Sequence, residues 1–71
     1  MNIGEAVKLA RTRKKISRAE LAQKSGITSR EIAMIEKGER VFPKLDTLQK
    51  IARGLGVKTC KLIAMTEDVI F

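Results

Sequence analysis

Apolar residues recur along this chain at helical spacing in five places, and no stretch alternates with the two-residue rhythm of a strand. Ile3, Ala6, Val7 and Ala10 put one stripe on a first segment, from Ile3 to about Lys14, with Asn2 and Glu5 placed to cap its start. The second segment begins after Ser17. In Ser17-Arg18-Ala19-Glu20 the serine can accept from the third helical amide while the glutamate reaches back to the serine's own N–H. Leu21 and Ala22 are its inner residues, and it ends near Ser25. Thr28-Ser29-Arg30-Glu31 repeats that capping pattern ahead of a third segment reaching about Lys37, with Ile32 and Ile35 inward and Gly38 as its stop. A loop over 38–43 carries Glu39, Arg40, Val41 and Phe42 and closes at Pro43. The fourth segment runs from about Leu45 to Gly54 or Leu55, with Leu45, Leu48, Ile51, Ala52 and Leu55 as its stripe, and Gly56 ends it. A fifth follows Thr59, with Leu62 and Ile63 inward. The pattern predicts an all-α fold: a compact five-helix domain over residues 1–65 and a short acidic and apolar tail over 66–71.

The second and third segments belong together. Only Ser25-Gly26-Ile27 separates them, and Gly26 permits a sharp turn. Ala22 stands where the two helices would cross, and Leu21, Ile27, Ile32 and Ile35 would plug the pair onto a core. Such a rigid pair pushes its second helix outward, the arrangement of a helix-turn-helix. A small helical hairpin of another kind could share parts of this pattern.

Composition sharpens the picture chiefly through charge. The 71 residues leave room for one domain, which buries only roughly 60% of its unfolded surface. With two Phe and no Trp or Tyr, the core must be aliphatic. Residues 1–61 hold all 15 basic residues and six of the eight acidic ones, a net of +9, whereas the last ten hold only Glu67 and Asp68. A basic body with an acidic end fits a polyanionic partner such as nucleic acid, although a merely soluble surface would also be charged.

The ordered set Ile3-Gly4-Glu5 with Arg11, Ser17-x3-Leu21-Ala22, Gly26-Ile27-Thr28, Ile32-x2-Ile35-Glu36-Lys37-Gly38 and Pro43-x4-Leu48-x2-Ile51-Ala52-x2-Leu55-Gly56-Val57 resembles the Cro/repressor (XRE-like) helix-turn-helix family of the lambdoid phage repressors. The resemblance spans about residues 3 to 63. It implies a sequence-specific transcriptional regulator, a repressor, that binds a pseudo-palindromic operator in double-stranded DNA as a homodimer. Residues 28–37 would form the recognition helix. It further implies a structural ion pair between Arg11 and Glu36, base reading by Ser29, Arg30, Ala33 and Met34, and phosphate contacts from Arg18, Thr28, Lys37, Arg40 and Lys44. Arg30 is the strongest base reader of the four, because a guanidinium can bond both O6 and N7 of guanine. The dimer interface falls to Ile63, Met65, Val69, Ile70 and Phe71, the last three of which exceed what a minimal domain needs.

Three positions depart from the family pattern. Arg18 stands where glutamine is usual, Lys15 replaces a common glycine after helix one, and Lys44 occupies a capping position that favours a small residue.

Other chemistries find little support. With no histidine and one cysteine, Cys60, the chain offers no zinc cluster and no intramolecular disulfide, and no cofactor is expected. No nucleophile stands beside a plausible base, so an enzyme is not expected; Lys58 and Lys61 flank Cys60, which reads as a small side chain near helix five. The N-terminus does not read as a signal peptide, and no apolar run approaches the ~20 residues of a membrane span, so the expected compartment is the cytoplasm. The basic first helix lacks the aromatic anchors of a membrane-surface helix. The alternative function is an antitoxin or other protein-interaction module on the same fold, with a protein partner as well as DNA.

Overall fold

A computed structural model describes residues 2–39 and 43–66. Its regular structure is helical throughout: α1 (Ile3–Arg13), α2 (Arg18–Ser25), α3 (Ser29–Glu36), α4 (Leu45–Leu55) and α5 (Thr59–Ala64). Arg40, Val41 and Phe42 of the expected loop, and Val69, Ile70 and Phe71 of the expected dimer surface, lie outside the described residues.

Local chemistry accounts for the helix ends. Asn2 caps α1 and Ser17 caps α2, each in a reciprocal box: the side chains accept from the backbone of Glu5 at 2.8 Å and Glu20 at 3.1 Å, and those glutamates accept from the cap residues' own N–H groups. Thr28 caps α3 by accepting from the Glu31 backbone at 3.1 Å. At the end of α1, Lys15 takes φ +57° and Ile16 N–H turns back to the Arg11 carbonyl at 3.3 Å. Gly26, at φ +79°, closes α2 with its N–H on the Ala22 carbonyl, a left-handed conformation that a Cβ would disfavour. The caps of α4 and α5 are Lys44 and Lys58, and neither makes a side-chain bond to its helix; the fifth helix starts at Thr59.

The core joins all five helices. Ala6, Val7 and Ala10 of α1, Leu21 of α2, Ile32 and Ile35 of α3, Ile51, Ala52 and Leu55 of α4 and Leu62 of α5 form one buried cluster. Ile3, Ile16, Ala22, Ile27, Leu48, Val57 and Met65 pack around it. Burying an aliphatic side chain of this size is worth about 1.5–3 kcal/mol, so Leu21, Ile32, Ile35, Ile51 and Leu62, each fully buried, carry much of the fold.

Two inward assignments are corrected. Leu45 is 58% exposed and Ile63 is 37% exposed. Leu45 shares the angular position of the buried Ala52, seven residues on, so its exposure comes from its place as the first residue of α4 and not from its side of the helix. Ile63 follows the fully buried Leu62, and one residue of a helix turns the side chain by about 100°. Ala22 is half-buried and packs against the core. Two glycines sit at close approaches between other helix pairs: at Gly4 of α1 a Cβ would run into the Ile35 carbonyl oxygen, and at Gly54 of α4 it would lie 3.0 Å from Leu21 Cδ1 and 3.1 Å from Ser25 N.

Candidate nucleic-acid interface

The short connection Gly26–Thr28 fixes α3 against α2, and Ile32 and Ile35 anchor its inner side with no exposure at all. At about 100° per residue, Ser29, Ala33, Arg30 and Met34 fall within a single arc of about 140° on the side away from those two isoleucines. Ser29 and Arg30 are exposed, and Ala33 and Met34 are half-buried. The four expected base-reading residues thus share one outward face.

Beside that face lies an open concavity of about 620 Å³, lined by Arg11, Ser17, Arg18, Ala19, Ser29, Arg30 and Ala33. It joins the N-terminal turn of α2 to the N-terminal half of α3 and so brings Arg18, Ser29, Arg30 and Ala33 of the expected contact set together. Thr28, Lys37 and Lys44 are exposed but do not line it. The Thr28 hydroxyl accepts from the helix backbone, which leaves its proton free to donate outward. Ser17 and Ala19 line the concavity although the sequence marked Ser17 only as a cap.

Two of the lining arginines, Arg11 and Arg18, belong to an ionic cluster. Arg11 donates to Glu36 through Nε (2.7 Å) and Nη2 (3.1 Å), and through Nη1 to the Ile16 carbonyl at 2.9 Å. The expected pair is therefore present and ties α1 to the end of α3. Arg18 also reaches this carboxylate, Nε to Oε1 at 3.0 Å. The phosphate assignment for Arg18 did not anticipate that bond, because the sequence does not show that the first turn of α2 lies over the last turn of α3. Burial alone would push the Glu36 carboxyl upward; the hydrogen bonds from Arg11 and Arg18, and then their charges, outweigh it and hold the group below the ordinary carboxylate range. The hydrogen bond to Glu36 raises Arg11 against the opposing effect of burial.

Among the described residues no group of three or more His, Cys, Asp or Glu could hold a metal ion, and no helix is long and apolar enough to cross a membrane. Cys60 is exposed.

A helix-turn-helix family model matches residues 7–62, which contain α2, α3 and all but the ends of the remaining helical core. The chain belongs to the helix-turn-helix family. The immunity repressor protein of Bacillus phage phi105 is 30% identical over 63 residues, covering 89% of this chain. The chain spans 43% of the length of that curated relative. The crystal structure of a mutant of the restriction-modification controller protein C.Esp1396I superposes with a TM-score of 0.82 at 26% identity, covering 90% of this chain and 82% of the other. This places the chain in the Cro/repressor (XRE-type) branch, a family of DNA-binding transcription regulators, with the five-helix fold the residue pattern predicts.

Proposed function

We propose that this helix-turn-helix protein is a sequence-specific repressor that inserts α3 into the major groove of a pseudo-palindromic operator and acts as a homodimer in the cytoplasm. The observation that carries the reading is the outward face of α3: Ser29, Arg30, Ala33 and Met34 stand opposite the buried Ile32 and Ile35, beside a concavity lined by arginine side chains. Arg30 reads guanine O6 and N7, Ser29 makes a hydrogen bond of low discrimination, and Ala33 and Met34 offer apolar contact to thymine methyls. Arg18, Thr28, Lys37, Arg40 and Lys44 hold the backbone phosphates and set the register of the helix in the groove. Two copies pair through the exposed Ile63 and the neighbouring Met65, continued in sequence by Val69, Ile70 and Phe71. Half-sites would then lie about 34 Å apart or a multiple of it.

Selection of bound duplexes from a random DNA library at moderate salt tests the reading. The expected product is a two-fold motif. Salt-sensitive binding with no motif recovered would show that the basic surface grips phosphates alone, and would overturn sequence-specific repression.

A further inference from the structure

The Glu36 carboxylate carries one negative charge and holds two arginines. Its side chain is 1% exposed, and Arg11, 12% exposed, commits Nε, Nη2 and Nη1 to Glu36 and the Ile16 carbonyl. That pair is complete in charge and in geometry. Arg18 adds a second cation that, among the described residues, pairs with no other acid, so the cluster of three carries a net positive charge. Only Nε of Arg18 is engaged; among the described residues no bond takes its two Nη groups, and the side chain is 39% exposed at the rim of the concavity it shares with Arg30. The guanidinium is pinned at one end and open at the other.

We propose that Glu36, besides tying α1 to α3, is a positioning residue for nucleic-acid binding: it fixes Arg18 through Nε so that the Nη edge meets a single backbone phosphate at the mouth of the concavity, beside the bases that Arg30 reads. The inference rests on the DNA-binding reading above. A planar guanidinium can donate to a buried carboxylate and a phosphate at once from different edges, and losing rotamer freedom beforehand lowers the entropy lost on binding. A lysine at position 18 would supply the charge without the fixed fork.

The test compares wild type, Arg18→Lys and Arg18→Gln, each as the full chain, on a short labelled duplex of the selected sequence, or a mixed-sequence duplex if selection yields none. Affinity is read across roughly 50–200 mM salt, and the melting temperature is recorded alongside. Arg18→Gln should reduce the slope of log K against log salt by about 0.9 per bound chain, the signature of one lost phosphate. Arg18→Lys should leave the slope near wild type yet weaken binding about 2- to 10-fold, the loss of one oriented hydrogen bond. Glu36→Gln, where it folds, should weaken binding when Arg18 is present and have a smaller effect when combined with Arg18→Gln. Lysine binding as tightly as arginine would overturn the positioning role, and an unchanged slope in Arg18→Gln would overturn the phosphate contact; both leave DNA binding standing. Wild type failing to bind either duplex would remove the DNA-binding reading, and the proposal with it.

Discussion

At the scale of single residues, Glu36 is the position on which most depends. Its carboxylate is buried and satisfied by two arginines, so removing the tighter partner strands much of a buried charge. Arg11→Ala should destabilise the fold by about 3 kcal/mol, at the low end for breaking a buried pair because Arg18 remains in place; urea denaturation measures it. The same group sets an acid dependence. Its carboxyl lies below the ordinary range when folded, so its stabilisation is present above the unfolded value of about 4.5 and is lost as pH falls through the lower folded value. Stability measured between about pH 5 and pH 3 should therefore fall with acidification in wild type and fall less steeply in Glu36→Gln.

Lys15 sits at φ +57° at the end of α1, a conformation worth roughly 1–2 kcal/mol of strain for a residue with a Cβ. Lys15→Gly should stabilise the protein by about 0.5–1 kcal/mol once glycine's greater freedom in the unfolded chain is subtracted. Gly4→Ala should do the reverse by about 1–3 kcal/mol, since its methyl would meet the Ile35 carbonyl, backbone that cannot rotate away. The Arg11–Glu36 pair was legible in the sequence through the family pattern, and Lys15 was marked as standing where a glycine is common, though not as left-handed. The Arg18–Glu36 bond was not legible, because it depends on how two helix ends meet in space.

At the scale of elements, the helices follow their sequence signals closely. Capping residues, turn glycines and apolar spacing placed the first four to within about a residue at each end, and the start of the fifth equally closely, because each signal is local chemistry of the backbone. Burial was harder to read at helix starts, where Leu45 belongs to the α4 stripe in sequence yet lies 58% exposed. Close packing was harder still: Gly4 and Gly54 carry no periodicity, and only the crossing geometry shows what a Cβ there would strike. Lys44 links this scale to function. It caps α4 in extended backbone without a side-chain bond, and its charge opposes the positive end of the helix dipole. Lys44→Asp should raise stability by about 1 kcal/mol in thermal or urea unfolding while weakening DNA binding, a pairing of opposite effects expected of a residue kept for phosphate contact.

At the scale of the whole molecule, one thin aliphatic core holds an outward helix in a fixed pose, on a chain whose residues 1–61 carry all 15 basic residues. The fold class was legible because five amphipathic segments and one tight turn leave few ways to bury their stripes. The residues proposed to meet DNA are legible only as a face, since exposed side chains leave no periodic imprint beyond not being core. Assembly belongs to this scale too: Ile63→Asp should shift the mass in solution towards monomer, and an unchanged dimer mass would move the interface elsewhere. The proposed role of α3 rests on base reading by Arg30, and parallel selection from a random duplex library with wild type and Arg30→Ala tests it. The same two-fold motif is expected in both, with preference lost at one guanine per half-site by about 1–3 kcal/mol. An identical motif at identical strength in the variant would contradict it.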